Sequence, residues 1–162
     1  MASLCHSNPA LVNDVAALDT PNAIREWGDD KYIYVKLAGA DAGVVGKYAL
    51  RHTDEPTTEG SVTMTAASAI PEALGSVADP VGVFVKAITA GYFGYLLREG
   101  RGTVFTDDGV AEGDFLVCDG GTTPTFIADT AVAGEEHAIC GRALADDSDV
   151  THLVTAEVYC RG

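Results

Sequence analysis

Basic residues are scarce in this sequence: lysine and arginine number 10 against 24 aspartates and glutamates, for a net charge of −14. A surface of that sign repels phosphate backbones and anionic headgroups, so we expect no nucleic-acid partner and no membrane partner. No apolar run approaches the roughly 18 residues of a membrane-spanning helix. The first residues lack the basic start and apolar stretch of a secretory signal, so we expect synthesis in a cytosol.

Cysteine is also scarce, with four residues, and none of them belongs to a C-x-x-C pair or has a histidine at zinc-ligand spacing. They are Cys5, Cys118, Cys140 and Cys160. Cys140 and Cys160 lie in apolar, strand-like segments, where a thiol packs as a small apolar group. We therefore predict core cysteines, with a disulfide as the less favoured alternative.

Motifs that carry chemistry are missing as well. No serine lies in a G-x-S-x-G elbow, and the four histidines are far apart along the chain: His6, His52, His137 and His152. The acidic stretch from Asp107 to Asp114 lacks the alternating ligands and terminal glutamate of a calcium loop. The sequence therefore predicts no catalytic residue, no metal and no cofactor, and a protein that is not an enzyme.

Alternation of apolar and polar residues dominates from Lys31 onward, as in strands with one buried face. Between Lys31 and Leu37 it places Ile33, Val35 and Leu37 on one side and the two tyrosines on the other. The last segment, from Leu153 to Cys160, is predicted to face four residues inward: Val154, Ala156, Val158 and Cys160. Both segments are predicted to be β-strands.

Turn residues separate these runs at the short spacing of all-β domains, and 18 glycines supply positions for a positive φ. We predict turns at Glu99–Gly102, at Asp107–Gly109 and before a strand at Phe115–Cys118. Short helical turns are predicted only for Ala10–Leu18, after an Asn-Pro start, and for Pro71–Gly75. The predicted fold is all-β: a compact β-sandwich or barrel-like domain with few short helical turns and an N-terminal arm.

We divide the chain into an arm at residues 1–30 and a β-rich domain at residues 31–162. The arm carries apolar residues but little structure of its own, so we expect a partner to cover them. Leu11, Val12 and the single tryptophan, Trp27, are the candidate contact residues.

The order of the segments resembles the head decoration (cement) proteins of tailed bacteriophages. The features that carry the resemblance are the strand Lys31–Lys36, the Ala-Gly turns at Ala42-Gly43 and Ala90-Gly91, the strand Val81–Val85, and the close from Ile139 to Ala145 before a last strand. It covers about residues 31–159.

This resemblance implies a structural virion protein, made in the host bacterial cytoplasm, that binds the outer capsid surface. It further implies a homotrimer that clamps adjacent subunits of the major capsid protein and stabilises the shell. Two other functions stay open on the sequence. One is a β-rich tail-fibre or receptor-binding module, and the other is a small ligand-binding or enzymatic β-barrel.

Overall fold

The computed structural model describes residues 12–38, 42–51, 61–63, 80–107, 109–118, 124–129, 139–147 and 151–160. In these ranges every regular element is a β-strand, which confirms the all-β prediction. The strands are β1 (Asn13–Asp14), β2 (Ile24–Trp27), β3 (Asp30–Leu37), β4 (Tyr48–Arg51), β5 (Ser61–Thr63), β6 (Pro80–Phe84), β7 (Phe93–Phe105), β8 (Phe115–Cys118), β9 (Phe126–Ala128), β10 (Ile139–Ala143) and β11 (Leu153–Tyr159).

Five of these strands pair in a closed ring. β3 pairs with β5 in parallel; β5 then pairs with β4, β4 with β6, β6 with β7, and β7 with β3, all antiparallel. Apolar side chains from all five strands, and one from the β6–β7 loop, fill its interior: Ile33, Val35, Leu37, Ala49, Val62, Val81, Phe84, Ile88 and Leu96. Closure removes the free edges that an open sheet of these strands would expose.

A second layer continues from the distal half of β7. From Glu99 onward β7 pairs with β11, and β10, β8 and β9 follow in antiparallel order. This layer packs on the outer side of the ring across a larger core that includes Tyr34, Tyr48, Leu97, Leu116 and Phe126. The domain is thus sandwich-like, and one of its two layers is closed as a small barrel.

The turn predicted at Glu99–Gly102 is wrong, because β7 runs through it as one strand of 13 residues. Glu99 is where β7 passes from β3 to β11: Lys31 and Tyr159 both have it as their partner. Gly100 has a φ of 130°, a value that L side chains rarely adopt. Gly100 therefore lets the strand change partners without reversing its direction.

The prediction that β3 has one buried face is also wrong. Ile33 and Val35 face the ring interior as expected, but Tyr32 and Tyr34 on the opposite face are 7% and 0% exposed. The cause is that β3 lies between the ring interior and the second layer. Alternation along the strand is real, and both faces have a core to pack against.

The final strand follows its prediction. The four residues predicted to face inward, Val154, Ala156, Val158 and Cys160, are 0–3% exposed. The residues between them on β11 are exposed or half-buried. The strand predicted at Phe115–Cys118 is β8, preceded by a turn at Gly113 with a φ of 96°.

The helical turn predicted for Ala10–Leu18 is wrong over residues 12–18, where the chain forms β1 and bends. Asn13 and Asp14 pair with Gly94 and Phe93 of β7, so the backbone is committed to the sheet. The helical turn predicted at Pro71–Gly75 lies outside the described residues. The described part of the predicted arm is therefore paired to the sheet through β1 and β2.

Candidate contact site at the β2–β3 hairpin

β2 is the last strand at one end of the sheet and forms an antiparallel hairpin with β3. Trp27 and Asp30 are the last paired residues, and Gly28 with a φ of 66° is the first of the two turn residues between them. Glycine at that place is typical of the tight turns that match the twist of antiparallel strands. All four residues of β2 are exposed.

An open cleft of about 570 Å³ lies between the tip of this hairpin and the β7–β11 pair. Its lining residues are Trp27, Gly28, Asp29, Asp30, Gly100, Arg101, Leu144 and Glu157. Trp27 is 41% exposed, so much of its indole is available to a partner. An exposed aromatic side chain beside a concave surface is a frequent centre of protein–protein contacts.

Asp30 links the hairpin to β7 where both line the cleft. One of its carboxylate oxygens, Oδ1, accepts a hydrogen bond of 3.0 Å from the backbone N–H of Arg101, and the Tyr32 hydroxyl donates to Oδ2 at 3.4 Å. Burial, and then the neighbouring Asp30, raise the pKa of Tyr32, so its hydroxyl stays protonated as a donor. A Cβ on Gly100 would overlap the Asp30 carboxylate, so only glycine fits there.

The cleft carries more acid than base. Asp29, Asp30 and Glu157 contribute carboxylates, and Arg101 contributes the cation among the lining residues. Asp30 accepts from the Arg101 N–H, and Glu157 lies opposite Arg101 of β7 and Arg142 of β10 in the sheet register. An indole face with carboxylates nearby suits a lysine or arginine side chain, through cation–π and charge attraction.

A second cluster holds the segment before β2 against the body. Asp19 accepts two hydrogen bonds from Arg25, at 2.6 and 2.8 Å, and one of 2.7 Å from the Tyr95 hydroxyl. The neighbouring Tyr34 hydroxyl accepts from the Leu18 N–H at 2.8 Å. We call Asp19, Arg25 and Tyr95 the latch, because together they link residues 18–25 to β7.

The latch has a defined charge state. Burial raises the pKa of Asp19, but hydrogen bonds from Arg25, Tyr95 and the Thr20 N–H outweigh it, and the net shift of the pKa is downward. Burial, and then the Asp19 carboxylate, raise the pKa of Tyr95 far above its ordinary value. At neutral pH an ionised carboxylate therefore faces a protonated phenol and a guanidinium.

An Asp19→Asn variant is expected to lose about 1–2 kcal/mol of unfolding free energy at pH 7, because its hydrogen bonds lose their charge assistance. A lowered folded-state pKa stabilises the fold above the unfolded pKa of about 3.9 and is lost as pH falls through the folded value. Urea unfolding at several pH values should thus show the wild-type advantage shrink below about pH 4. An advantage that grows in acid would contradict the latch.

The three predicted contact residues have different surroundings. Leu11 lies outside the described residues. Val12 is 9% exposed and packs in the larger core, where it supports the fold. Trp27 lines the cleft. The structure adds Asp29, Arg101, Leu144 and Glu157 to its surroundings; sequence reasoning missed them because four separate segments supply them, and no spacing signal joins those segments.

The one described histidine stabilises a loop. The Thr106 hydroxyl donates to Asp147 at 2.9 Å, and His152 Nδ1 lies 3.3 Å from the same carboxylate oxygen. Thr106 is fully buried and the Asp147 side chain is 2% exposed. The Thr106 N–H also donates to the His152 carbonyl, so the three residues brace the start of β11. His6, His52 and His137 lie outside the described residues.

The described cysteines, Cys118, Cys140 and Cys160, are buried free thiols, which confirms the core positions predicted for Cys140 and Cys160. The Sγ atoms of Cys118 and Cys140 lie 3.7 Å apart. Burial, and then Cys140, raise the pKa of Cys160 well above its ordinary value, which keeps its thiol protonated. Cys5 lies outside the described residues.

Within the described ranges, no three side chains of the histidine, cysteine, aspartate and glutamate types come together as a metal site would require. The same part of the chain has no helix long and apolar enough to cross a membrane.

These features define a class: an acidic, all-β protein of two packed layers, one of them closed as a small barrel, with a cleft beside an exposed tryptophan at a hairpin tip. No family model matches the chain, and no curated protein matches it. Among solved structures, the chain is similar to the N base of the head fibre protein gp8.5 of bacteriophage phi29. The TM-score is 0.50 at 13% identity, and the alignment covers 78% of this chain and 93% of that one. The likeness is one of fold.

Proposed function

We propose that this protein is a structural virion protein of a phage, which binds the outer surface of the capsid and takes no part in catalysis. The observation that carries the proposal is the fold shared with the base of a phage head fibre, over almost all of that chain. The resemblance of the segment order to head decoration proteins supports it independently. Both likenesses concern proteins of phage heads.

The acidic surface agrees with this role. A net charge of −14 keeps a protein soluble at the high local concentration of a capsid exterior. Exposed apolar side chains nevertheless occur, among them Val15, Ile24, Trp27, Phe115 and Leu153. Contact with a large partner would cover part of this apolar surface, and we assign Trp27 and its cleft to that contact.

The finer proposal is a homotrimer that clamps adjacent major capsid subunits. Several weak contacts made by one oligomer act at a high effective concentration, so modest affinity per contact yields stable attachment. A protein that binds the assembled shell in preference to its free subunits stabilises the shell by mass action. Sedimentation should therefore give a mass in solution equal to that of three protomers.

The decisive experiment mixes the purified protein with capsids that lack it, followed by sedimentation and electron cryomicroscopy. We expect the protein to pellet with capsids and to give ordered density at symmetry-related positions outside the shell. The decorated shells should also withstand higher temperature before they release their contents. Absence of density and of co-sedimentation would overturn the proposal.

A receptor-binding module is the second candidate, because the structural neighbour belongs to a fibre. It predicts binding to host cells or to glycans and none to empty heads. The same labelled protein can be pelleted with cells and with capsids in parallel. Retention on cells alone would favour this second function.

A further inference from the structure

The two ends of the strand order differ in how their outer edges are covered. At one end, the outer edge of β9 is occupied by the chain itself: Asp107 donates its N–H to the Phe126 carbonyl at 2.9 Å, next to a bridge between Thr106 and Phe126. At the other end, β3 is the one strand that pairs with β2 among the described residues. The outer edge of β2 therefore has no strand beside it in that part of the chain.

The pairing register shows which backbone groups point outward. Trp27 and Asp30 flank a two-residue turn and so form a hydrogen-bonded pair. Arg25, two residues before Trp27, forms the next hydrogen-bonded pair, with Tyr32. The bond from the Tyr34 N–H to the Ala23 carbonyl follows the same alternation. Ile24 and Glu26 thus direct their N–H and C=O groups away from β3, toward the free edge.

We propose that this edge binds an extended, basic segment of a partner protein, which joins the sheet as a strand beside β2 and places a lysine or arginine side chain at the Trp27 cleft. Trp27 ends β2 and forms one wall of the cleft. A strand added beside β2 lies about 4.8 Å away, within reach of a long basic side chain. Three carboxylates, those of Asp29, Asp30 and Glu157, line the cleft against the one guanidinium of Arg101, so the lining carries a net negative charge.

Charge selects this occupant over a second copy of the chain. Arg25 is paired with Asp19, and Lys31, which lies opposite Glu26, is bonded to Glu99. One lysine therefore faces two glutamates beside β2, and the charge there is negative on balance. Two copies joined through β2 would bring together cleft rims of the same sign on chains of net charge −14. A basic strand gains attraction at each of those points instead. That this segment belongs to the major capsid protein rests on the function proposed above.

The first test uses the full chain and a fluorescent peptide of alternating lysine and threonine, with an alternating glutamate and threonine peptide as the control. We expect the lysine peptide to bind and to slow amide hydrogen exchange at Ile24 and Glu26. Arg25 and Trp27, already bonded to β3, should change little. Equal binding of both peptides, or exchange at Ile24 and Glu26 that stays as fast as before, would overturn the proposal.

Two substitutions at one position separate strand addition from charge. Glu26→Pro removes an outward N–H, which proline tolerates on a sheet edge, whereas Glu26→Gln removes only the charge. We expect the lysine peptide to bind about tenfold more weakly to Glu26→Pro and less than about threefold more weakly to Glu26→Gln. The wild-type exchange measurement decides the question if Glu26→Pro lowers the melting temperature. Equal affinities of the two variants would contradict strand addition.

The same variants applied to capsids test the partner. Loss of capsid retention in Glu26→Pro, with retention kept in Glu26→Gln, supports the edge as the capsid contact. Full retention of Glu26→Pro would show that the capsid binds elsewhere and would overturn that assignment. Failure of the wild-type protein to bind capsids would overturn the proposed function, while the peptide result would still decide whether the edge accepts a basic strand.

Discussion

A Gly100→Ala variant is expected to lose about 2–4 kcal/mol of unfolding free energy, a large part of the 5–15 kcal/mol typical of a folded domain. The φ of 130° at Gly100 strains any L residue. In addition, the new methyl group would displace the Asp30 carboxylate, which accepts from the Arg101 N–H. Both costs fall at the point where β7 passes from β3 to β11. Urea unfolding followed by tryptophan fluorescence measures the loss.

Gly91→Ala is the matched control for this prediction. Gly91 also has a positive φ, 79°, but a Cβ there would meet no atom within 4 Å. It should therefore show the backbone penalty of about 1 kcal/mol and nothing more. Equal losses in the two variants would mean that the contact between Gly100 and Asp30 has no energetic weight.

The alternation of apolar and polar residues was sufficient to predict the strands in which it is most regular. The segments from Lys31 to Leu37 and from Leu153 to Cys160 are the strands β3 and β11. Their inward residues could be identified because a strand alternates its faces strictly and apolar residues recur at every second position. Turn chemistry likewise located the start of β8.

Features that depend on two distant segments could not be predicted in this way. The charged pair Glu99 and Arg101 with two glycines is typical of a turn, yet the chain continues because β3 and β11 both pair along β7. The burial of Tyr32 and Tyr34 depends on the second layer, whose position no local pattern encodes. Tertiary packing here outweighs local propensity.

The candidate site, too, could be predicted only in part from the sequence. Trp27 stood out from composition, as the single tryptophan of the chain and part of the predicted arm. Its neighbours in the cleft come from the turn, β7, the segment after β10 and β11, so only the folded chain brings them together. The latch between Asp19, Arg25 and Tyr95 likewise joins residues 76 positions apart.

Deletion of residues 2–28 tests the predicted arm as a whole, and the division into arm and β domain predicts loss of capsid retention with a folded β domain. The structure favours a finer change, since that deletion would also remove β1, β2 and the Asp19 latch. A single substitution on the exposed surface separates adhesion from stability.

Trp27→Ala is expected to weaken attachment to capsids by at least about thirtyfold per contact, the loss that corresponds to an interface hot spot of 2 kcal/mol. In a trimer that attaches through three such contacts, the losses multiply and retention should vanish. Because Trp27 is 41% exposed, the stability of the free protein should change by less than about 1 kcal/mol. Co-sedimentation with capsids and thermal unfolding measure the two quantities.

Phe115→Ala serves as the control, because Phe115 is a large apolar residue with 51% exposure on β8 and does not line the cleft. It should leave retention unchanged. Equal retention of both variants would place the capsid contact away from the hairpin tip, and equal loss would indicate that any exposed apolar side chain contributes. A selective loss of retention in Trp27→Ala would assign attachment to Trp27, the described contact residue that was predicted from the sequence and also lines the cleft.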